Sequence, residues 1–226
     1  MLNYEVDPSL LSRYVPPFTS LDSFHGKTYV SLVGFRFCRT RLLGYFPAPF
    51  HTYFDEVNLR FYVRRRSDGG DTQRGVVFIA EVVPRRAIAT TARLVYGENY
   101  KYAPMKHRIE TVGAGKTVEF QWQVRGQWCR LSAQTVGPPK HPEDGSLEQF
   151  ITEHYWGYTA QPGGGCLEYR VDHVPWQVWA TTVAGFEGNS CALYGSELGT
   201  VLKRAPDCAF VADGSPVIIF KGNKIL

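Results

Sequence analysis

The sequence predicts a mainly β fold with a few helices, and three observations support this prediction. Short runs rich in Val, Phe, Tyr and Trp recur along the 226 residues, separated by 22 glycines and 14 prolines. Residues 56–63 alternate strictly between apolar and polar side chains, as a strand with two different faces does. The composition, 44% hydrophobic and 20% charged, is typical of an ordered globular protein. We therefore expect about eight to ten strands in one antiparallel sheet system, closed or nearly closed, in a single domain.

The first half of the chain alternates strands with two helices. The stretch VDPSLLSRYVPP predicts a short helix, because its aspartate and first proline suit the first turn and the final prolines end it. Residues 27–37 predict a strand with apolar side chains, and hence burial, on both faces. The turn sequence SDGGD joins the strands predicted at 56–64 and 75–83. Residues 84–97 change to a helical period and predict a helix of about three turns.

The second half of the chain predicts further strands and two more helices. Ser146 and Gln149 have the spacing of a capping box, which predicts a helix at 145–156. The tail predicts a helix at 192–206. Three strands are predicted at 107–112, 116–124 and 127–136, and the turn VRGQW joins the last two as a hairpin. An antiparallel pair is predicted at 166–174 and 176–183, and a closing hairpin at 208–220.

Charge and cysteine usage limit the broad class of the protein. The net charge of +4 is mildly basic, and no run approaches the roughly 18 apolar residues that a membrane-spanning helix needs. Five widely spaced cysteines form no CxxC pair, and the first residues do not resemble a signal peptide. We expect free thiols, a cytoplasmic location and no membrane partner, while homo-oligomerisation stays open.

The common catalytic and metal-binding motifs are absent from the sequence. There is no G-x-S-x-G elbow, no Walker loop, no G-x-G-x-x-G after a strand and no H-E-x-x-H pair. The six histidines are scattered singly, so a zinc site would require distant positions to meet, and surface or packing roles are favoured. We expect no metal and no cofactor.

Nucleic-acid binding is an alternative, because basic and aromatic side chains interleave at 60–66 and 99–108. Aromatic rings on a sheet with flanking cations can stack bases and hold phosphates. However, 21 acidic residues nearly balance 25 basic ones, which is unlike the strongly basic domains that bind nucleic acids. A nucleic-acid-binding or interaction module is therefore the less favoured class.

A polar strand face and an aromatic segment are candidates for the wall of a cavity. The polar face consists of Glu56, Asn58, Arg60 and Tyr62. The aromatic segment contains Tyr155, Trp156 and Tyr158. The polar face meets water if the sheet is open and lines a cavity if the sheet closes into a barrel, with Glu56 as its favoured member. The aromatic segment either caps the core or lines the pocket, and the core is favoured because Trp and Tyr bury a large area.

Lys101 is a candidate for amine chemistry. A lysine nucleophile requires the neutral amine, which at an ordinary pKa of about 10.4 is about one part in 10³ or less near pH 7. Burial or a neighbouring cation must therefore lower the pKa. In an extended segment Lys101 shares a face with Asn99, opposite Tyr100. No lysine is adjacent, so cationic help must come through space, for example from Arg93, and a solvated Lys101 is favoured over a catalytic one.

The order of these segments resembles a known family. The residues that carry the resemblance lie at 3–17, 26–37, 54–65, 74–105, 147–159 and 169–179. Together they are similar to the YqjF-like domain of unknown function, a bacterial family that looks like a branch of the acetoacetate decarboxylase-like superfamily. The resemblance implies a mainly antiparallel β-barrel with a central cavity and helices packed outside.

The resemblance also defines what is missing for the decarboxylase reaction. In the decarboxylase, a Pro-Ala-Ile-Ala helix leads to two adjacent lysines, of which one forms a Schiff base with a β-keto acid and the other lowers its pKa. The stretch RRAIATTARLVYGENYKYAP looks like that helix and loop, and alignment without gaps to Pro104 places the pair at Asn99 and Tyr100. Glu56 occupies a place similar to a pocket glutamate. The resemblance therefore implies the cavity but not the Schiff-base reaction.

The main expectation is a small-molecule-binding cavity for an organic acid or carbonyl compound. The alternative of a lyase or hydrolase acting on a keto-acid-like substrate would use Glu56 or Lys101 for proton transfer. The expected lining residues are Glu56, Asn58, Arg93, Asn99, Tyr100, Lys101, Tyr155, Trp156 and Tyr158.

Overall fold

The computed structural model describes residues 1–38, 41–42, 46–47, 53–67, 69–90 and 97–226, with the backbone alone for 41–42 and 46–47. The strands are β1 (Leu2–Val6), β2 (Ser20–Leu21), β3 (Thr28–Cys38), β4 (Arg41–Leu42), β5 (Phe46–Pro47), β6 (Tyr53–Arg66), β7 (Thr72–Val83), β8 (Tyr100–Tyr102), β9 (Met105–Val112), β10 (Gly115–Val124), β11 (Gln127–Thr135), β12 (Trp156–Ala160), β13 (Cys166–Asp172), β14 (Val178–Glu187), β15 (Cys208–Ala212), β16 (Ile218–Ile219) and β17 (Asn223–Ile225). The helices are α1 (Ser9–Ser12), α2 (86–90 in the described part), α3 (Leu147–Thr152), α4 (Cys191–Tyr194) and α5 (Ser196–Val201).

The sheet is built around three long strands, β3, β6 and β7, which pair antiparallel in that order. Beyond β3 the pairings continue through β1, β15, β14, β11, β10 and β9. On its other edge β7 pairs in parallel with both β8 and β12, and β12 pairs with β13. The predicted mainly β fold is confirmed. The described pairings leave the sheet open, and the parallel pairs show that it is not purely antiparallel.

Two hydrophobic cores cover opposite faces of the central strands. On β3, Val30 and Leu32 belong to the main core, whereas Tyr29 and Val33 belong to a second core that includes Phe150 of α3. The same alternation on β6 directs its apolar residues to the main core and the remaining ones to the other face. Burial of both faces, predicted for 27–37, is therefore observed for most of β3.

A β-bulge in β7 changes the face on which its later residues lie. Leu59 pairs with Ala80, whereas the next residue, Arg60, pairs with Phe78, so Ile79 has no partner across β6. One inserted residue shifts the alternation of a strand by one position. As a result Glu81 pairs with Asn58 and lies on the polar face of β6 rather than in the main core.

Two of the three predicted hairpins are present. β6 and β7 pair from Arg66↔Thr72 onward, and the amide of Gly70 donates to the carbonyl of Ser67 in the turn between them; Asp68 of the predicted turn lies outside the described residues. β10 and β11 are joined by Arg125 and Gly126, whose φ angles are both positive (49° and 79°). This pair of left-handed residues is what a tight two-residue hairpin turn requires.

Two predicted strand pairs are wrong, although the strands exist. Strands β13 and β14, predicted to pair, have different partners, because β13 pairs with β12 and β17 while β14 pairs with β11 and β15. The closing hairpin at 208–220 is also wrong, since β15 pairs with β1 and β14, and β16 pairs with β13 and β4. Each strand has the predicted period, but partner choice depends on contacts far along the chain.

The helices agree with the predictions in part. α1 is one short turn, as expected, and α3 begins at a capped residue but ends at Thr152, so that Trp156 begins strand β12. The helix predicted at 84–97 is observed at 86–90, and 91–96 lie outside the described residues. The helix predicted at 192–206 is instead α4 and α5, separated by Gly195 with φ 83°, a left-handed conformation that interrupts a helix. Among the described helices, none is both long and apolar enough to cross a bilayer.

Removal of the α3 cap is expected to destabilise the protein. The Ser146 hydroxyl accepts a hydrogen bond from the Gln149 amide (3.2 Å), and the Gln149 carboxamide accepts one from the Gly145 amide (2.8 Å). Ser146→Ala should lower the free energy of unfolding in urea by about 1 kcal/mol. The control, Ser196→Ala at an exposed position in α5, should change it by less than about 0.5 kcal/mol. Equal effects in the two variants would show that the cap does not stabilise α3.

Candidate functional site

A cleft of about 490 Å³ opens where α1, β7, β8 and α4 meet. It is lined by Arg13, Tyr14, Ile79, Asn99, Leu193, Tyr194 and Gly195. The cleft is widely open to solvent, and its lining mixes apolar side chains with a few polar groups.

The cleft lies beside a break in the pairing along one edge of β7. Gly75 and Val76 pair with β12, and Glu81 to Val83 pair with β8, so among the described strands no partner covers the residues between them. The carbonyl of Ile79, the bulge residue, instead accepts a hydrogen bond from the Asn99 side chain (2.8 Å). A side chain thus satisfies a backbone group that a strand would otherwise cover.

Successive residues of the segment at 98–101 lie on opposite sides of it. Asn99 faces the cleft, and the Lys101 ammonium donates to the carbonyl of Leu193 in α4 (3.3 Å), so both are on the α4 side. Tyr100 points the other way, where its hydroxyl donates to Glu56 (3.2 Å). The predicted alternation is therefore observed, and Lys101 and Glu56 are on different sides of the segment. Partial burial lowers the pKa of Lys101.

The lining of the cleft includes one cation, Arg13, and one buried tyrosine, Tyr194. Arg13, directly after α1, forms an ion pair with Glu197 (2.7 Å) in which both side chains are about half exposed (54% and 51%). The guanidinium also lies over the ring of Tyr14, 5.0 Å from its centroid. The Tyr194 hydroxyl is buried and has no hydrogen-bond partner among the described residues. Exposed ion pairs are weak, so Arg13 is available to an anion that enters the cleft.

Behind the cleft, on the other side of β8, three glutamates are buried together. Glu56 is on β6, Glu81 is on β7 and Glu98 directly precedes β8. Asn58 donates to one carboxyl oxygen of Glu56 (3.0 Å), and Tyr169 of β13 donates to Glu98. We call these three residues the carboxyl cluster.

Burial raises the pKa of each carboxyl in the cluster. The pKa of Glu56 rises to about 8, because desolvation and the charge of Glu98 outweigh the hydrogen bonds from its neighbours. Burial raises the pKa of Glu98 to about 7, against the hydrogen bonds from Tyr169 and Thr159. Burial, followed by the charges of the other two glutamates, holds the pKa of Glu81 well above its usual range. Neutral acids are therefore favoured in the cluster.

The residues predicted to line one cavity are distributed over several places. Asn99 lines the cleft, and Lys101 lies next to it. Glu56, Asn58 and Tyr100 form or contact the carboxyl cluster, which is separated from the cleft by β8. Arg93 lies outside the described residues. Within the described ranges, no group of three or more His, Cys, Asp or Glu side chains is arranged to hold a metal ion.

The aromatic segment lies away from the cleft. Tyr155 packs on His173, with ring centroids 4.8 Å apart. Trp156 packs against the main core, and Tyr158 is buried there with its hydroxyl donating to Gln73 (3.2 Å). Trp156 and Tyr158 are thus part of the main core or packed against it, whereas Tyr155 belongs to neither core.

Sequence reasoning missed the residues that shape the site most. Arg13 and Tyr194 come to the cleft from helices distant in sequence, which no local pattern indicates. Glu98 becomes part of the cluster only through contact with β13. Glu81 did carry a signal, because it is the one charged residue in the otherwise apolar stretch GVVFIAEVV. A single carboxylate inside an apolar strand indicates a buried acid.

Comparison with known proteins establishes the family of the chain. A family model named DUF2071 and described as "Uncharacterized conserved protein" matches residues 1–216. The chain belongs to the DUF2071 family. The uncharacterized protein YqjF from Bacillus subtilis (strain 168) is 27% identical over 179 residues, which are 77% of this chain and 69% of YqjF. The resemblance to the YqjF-like family is thus confirmed.

Solved structures with a similar fold are acetoacetate decarboxylase-like enzymes. Acetoacetate decarboxylase from Legionella pneumophila subsp. pneumophila strain Philadelphia 1 has a TM-score of 0.64 and 14% identity, and the match covers 100% of this chain and 83% of the decarboxylase. The enduracididine biosynthesis enzyme MppR with HEPES bound has a TM-score of 0.63 and 12% identity, covering 99% of this chain and 84% of MppR. MppR complexed with the condensation product of pyruvate and imidazole 4-carboxaldehyde has a TM-score of 0.60 and 13% identity, and the match covers 99% of this chain and 85% of MppR. At these identities the similarity shows a shared fold.

A methyl group at Gly157 is expected to disrupt the contact between Tyr169 and the cluster. Gly157 is opposite Tyr169 in the β12–β13 pair, and a Cβ there would lie 2.1 Å from the Tyr169 ring. Gly157→Ala should therefore displace the tyrosine and lower the free energy of unfolding by about 1–3 kcal/mol in urea titration.

Gly163→Ala is the matched control, because no atom lies within 4 Å of a Cβ at that position. It should leave the free energy of unfolding within about 0.5 kcal/mol of the parent value. A Gly157→Ala variant as stable as this control would show that Tyr169 is not held over Gly157.

Proposed function

We propose that the protein binds a small organic acid or carbonyl compound in the cleft. The observation that carries this proposal is that Arg13 and Asn99 line one cleft together with the apolar side chains of Ile79 and Leu193. A carboxylate needs a cation, and a carbonyl oxygen needs a hydrogen-bond donor. Both partners are present in the lining of the cleft.

Each polar group has a defined part in the proposed complex. Arg13 binds the carboxylate of the ligand in place of Glu197, and this exchange costs little because the existing ion pair is exposed. Asn99 uses one N–H to hold Ile79, which leaves its carbonyl oxygen and second N–H directed to a ligand.

The fold neighbours support a ligand of this class. MppR is described as complexed with a condensation product of pyruvate, a keto acid, and the other neighbour is an acetoacetate decarboxylase. Binding rather than Schiff-base chemistry is proposed because Asn99 and Tyr100 occupy the positions that align with the lysine pair.

Loss of the Arg13 cation is expected to weaken binding of small carboxylates. Pyruvate and acetoacetate are the probes, and calorimetry measures their dissociation constants. Arg13→Gln should raise these constants by about tenfold or more, since a hydrogen bond to a charged group is lost.

Arg108→Gln is the matched control, because Arg108 forms a similar exposed ion pair with Glu110 (2.8 Å) on β9. It should leave the dissociation constants unchanged. If neither probe binds the parent protein, or if the two variants bind equally well, the cleft is not a carboxylate site.

A second candidate function is catalysis by the Lys101 amine. It is favoured by the position of Lys101 beside α4 and by the lowered pKa that partial burial produces. This version requires a covalent adduct with a carbonyl compound.

Borohydride trapping with acetoacetate distinguishes the two functions. The binding proposal expects no lysine to be labelled, as measured by intact mass and peptide mapping, because the Lys101 ammonium is engaged by the Leu193 carbonyl. A label on Lys101 that is absent from Lys101→Met but present in Lys106→Met would instead establish amine catalysis.

A further inference from the structure

The carboxyl cluster contains more hydrogen-bond acceptors than donors. Among the described residues, one oxygen of Glu81 and the amide oxygen of Asn58 have no partner, and both side chains are only 1% exposed. These two residues lie directly opposite each other in the β6–β7 pair, at a spacing where side chains touch. Two buried acceptors that face each other are each costly unless a donor lies between them.

Among the described residues, the side-chain donors that reach the carboxyl oxygens are already engaged. The Nε of Arg60 is buried without a partner, and it forms no hydrogen bond to the cluster. The Asn58 amide donates to one oxygen of Glu56, and the Tyr100 hydroxyl donates to the other. The Tyr169 hydroxyl donates to Glu98. A proton on Glu81 would supply the missing donor to the Asn58 oxygen, because a protonated carboxyl has one O–H group.

The charged groups of the described residues do not take the place of these protons. The polar and titratable groups that face the cluster from the surrounding strands are Asn58 and Arg60 from β6, Tyr100 from β8, Thr159 from β12 and Tyr169 from β13. Arg60 acts on Glu56 only through its charge, and its guanidinium donates to the carbonyl of Ile151 (3.2 Å). No ion pair among the described residues includes a member of the cluster.

We propose that the carboxyl cluster is a proton-binding site that holds β8 against β7 and thereby keeps Asn99 in place at the cleft. Glu98 and Asn99 are consecutive residues, the amide of Glu81 donates to the Asn99 carbonyl (3.1 Å), and Glu81 pairs with Tyr100. When the carboxyls release their protons to water, three negative charges that share one buried site repel each other and weaken this pairing. Proton binding and the position of Asn99 are therefore linked.

The direction of the pH effect follows from the raised pKa values. The folded protein keeps protons on Glu98 and Glu56 up to about pH 7 and 8, whereas the unfolded chain releases them near its ordinary carboxyl pKa. Between the ordinary carboxyl pKa and these raised pKa values, the folded state therefore binds more protons than the unfolded state. The stability that the cluster contributes is complete at a pH below this range and is lost as the pH rises through it.

Glu81→Gln is the most direct variant, because the glutamine amide has an N–H donor in place of the carboxyl proton. Unlike the carboxyl group, the amide cannot ionise. Urea titration of the parent protein from about pH 5 to 9 should show an unfolding equilibrium constant that increases with pH. In the variant this constant should increase less steeply, by a factor of up to about ten per pH unit. Glu143→Gln, at an exposed loop glutamate, is the control and should retain the parent profile.

Hydrogen exchange measures the link to the cleft without any ligand, so the result is independent of the proposed function. In the parent protein, protection factors of the amides at 81 and 100–103 should decrease more steeply as the pH rises than those in the β10–β11 hairpin. In Glu81→Gln the decrease should be smaller. A parent profile that is flat with pH, or a Glu81→Gln profile identical to the Glu143→Gln profile, would overturn the proposal.

Discussion

The structure around the site depends on the burial of three carboxyl groups where β6, β7 and β8 meet. Glu56, Glu81 and Glu98 have no cationic partner in an ion pair among the described residues, and they share few donors. Isolated buried carboxylates are so costly that a folded protein keeps them neutral. The pairing of β8 with β7, which places Asn99 and Lys101 on the cleft side, therefore requires that these acids keep their protons.

The bulge at Ile79 creates both the cluster and the cleft. It shifts the alternation of β7, so that Glu81 joins Asn58 on the polar face instead of entering the main core. It also lies between the segments of β7 that pair with β12 and with β8. The Ile79 carbonyl there accepts a hydrogen bond from the Asn99 side chain. Bulges commonly occur near functional sites, where they redirect side chains. One inserted residue thus connects the buried carboxyl cluster to the open cleft.

The sequence predicted the features that depend on local patterns, such as the alternation of side chains along a strand. The alternation at 56–63 and at 98–102 placed each side chain on its correct side, because regular strands keep their period without help from the rest of the fold. The N-terminal cap of α3 was predicted for the same reason. The family resemblance added the type of fold, which the solved neighbours confirm, although the described pairings leave the sheet open.

The remaining features depend on contacts between distant segments. The partners of β13 to β16 are chosen by packing across the whole chain, and Arg13 meets Glu197 from opposite ends of the sequence. Sequence reasoning did not identify Glu81 as part of the polar face, because a bulge leaves no clear signal in one sequence. Pairing choice and bulge position therefore limited the prediction of the site more than the recognition of strands did.

Infrared spectroscopy tests the central claim, that the cluster is protonated in the folded protein, most directly. At about pH 6 exposed Asp and Glu side chains are ionised, so a carbonyl stretch from a protonated carboxylic acid must arise from buried groups. The account predicts this band in the folded protein, its loss as the pH rises past the pKa values of about 7 and 8, and a weaker band in Glu81→Gln. A folded protein that shows only carboxylate bands at about pH 6 would contradict the account.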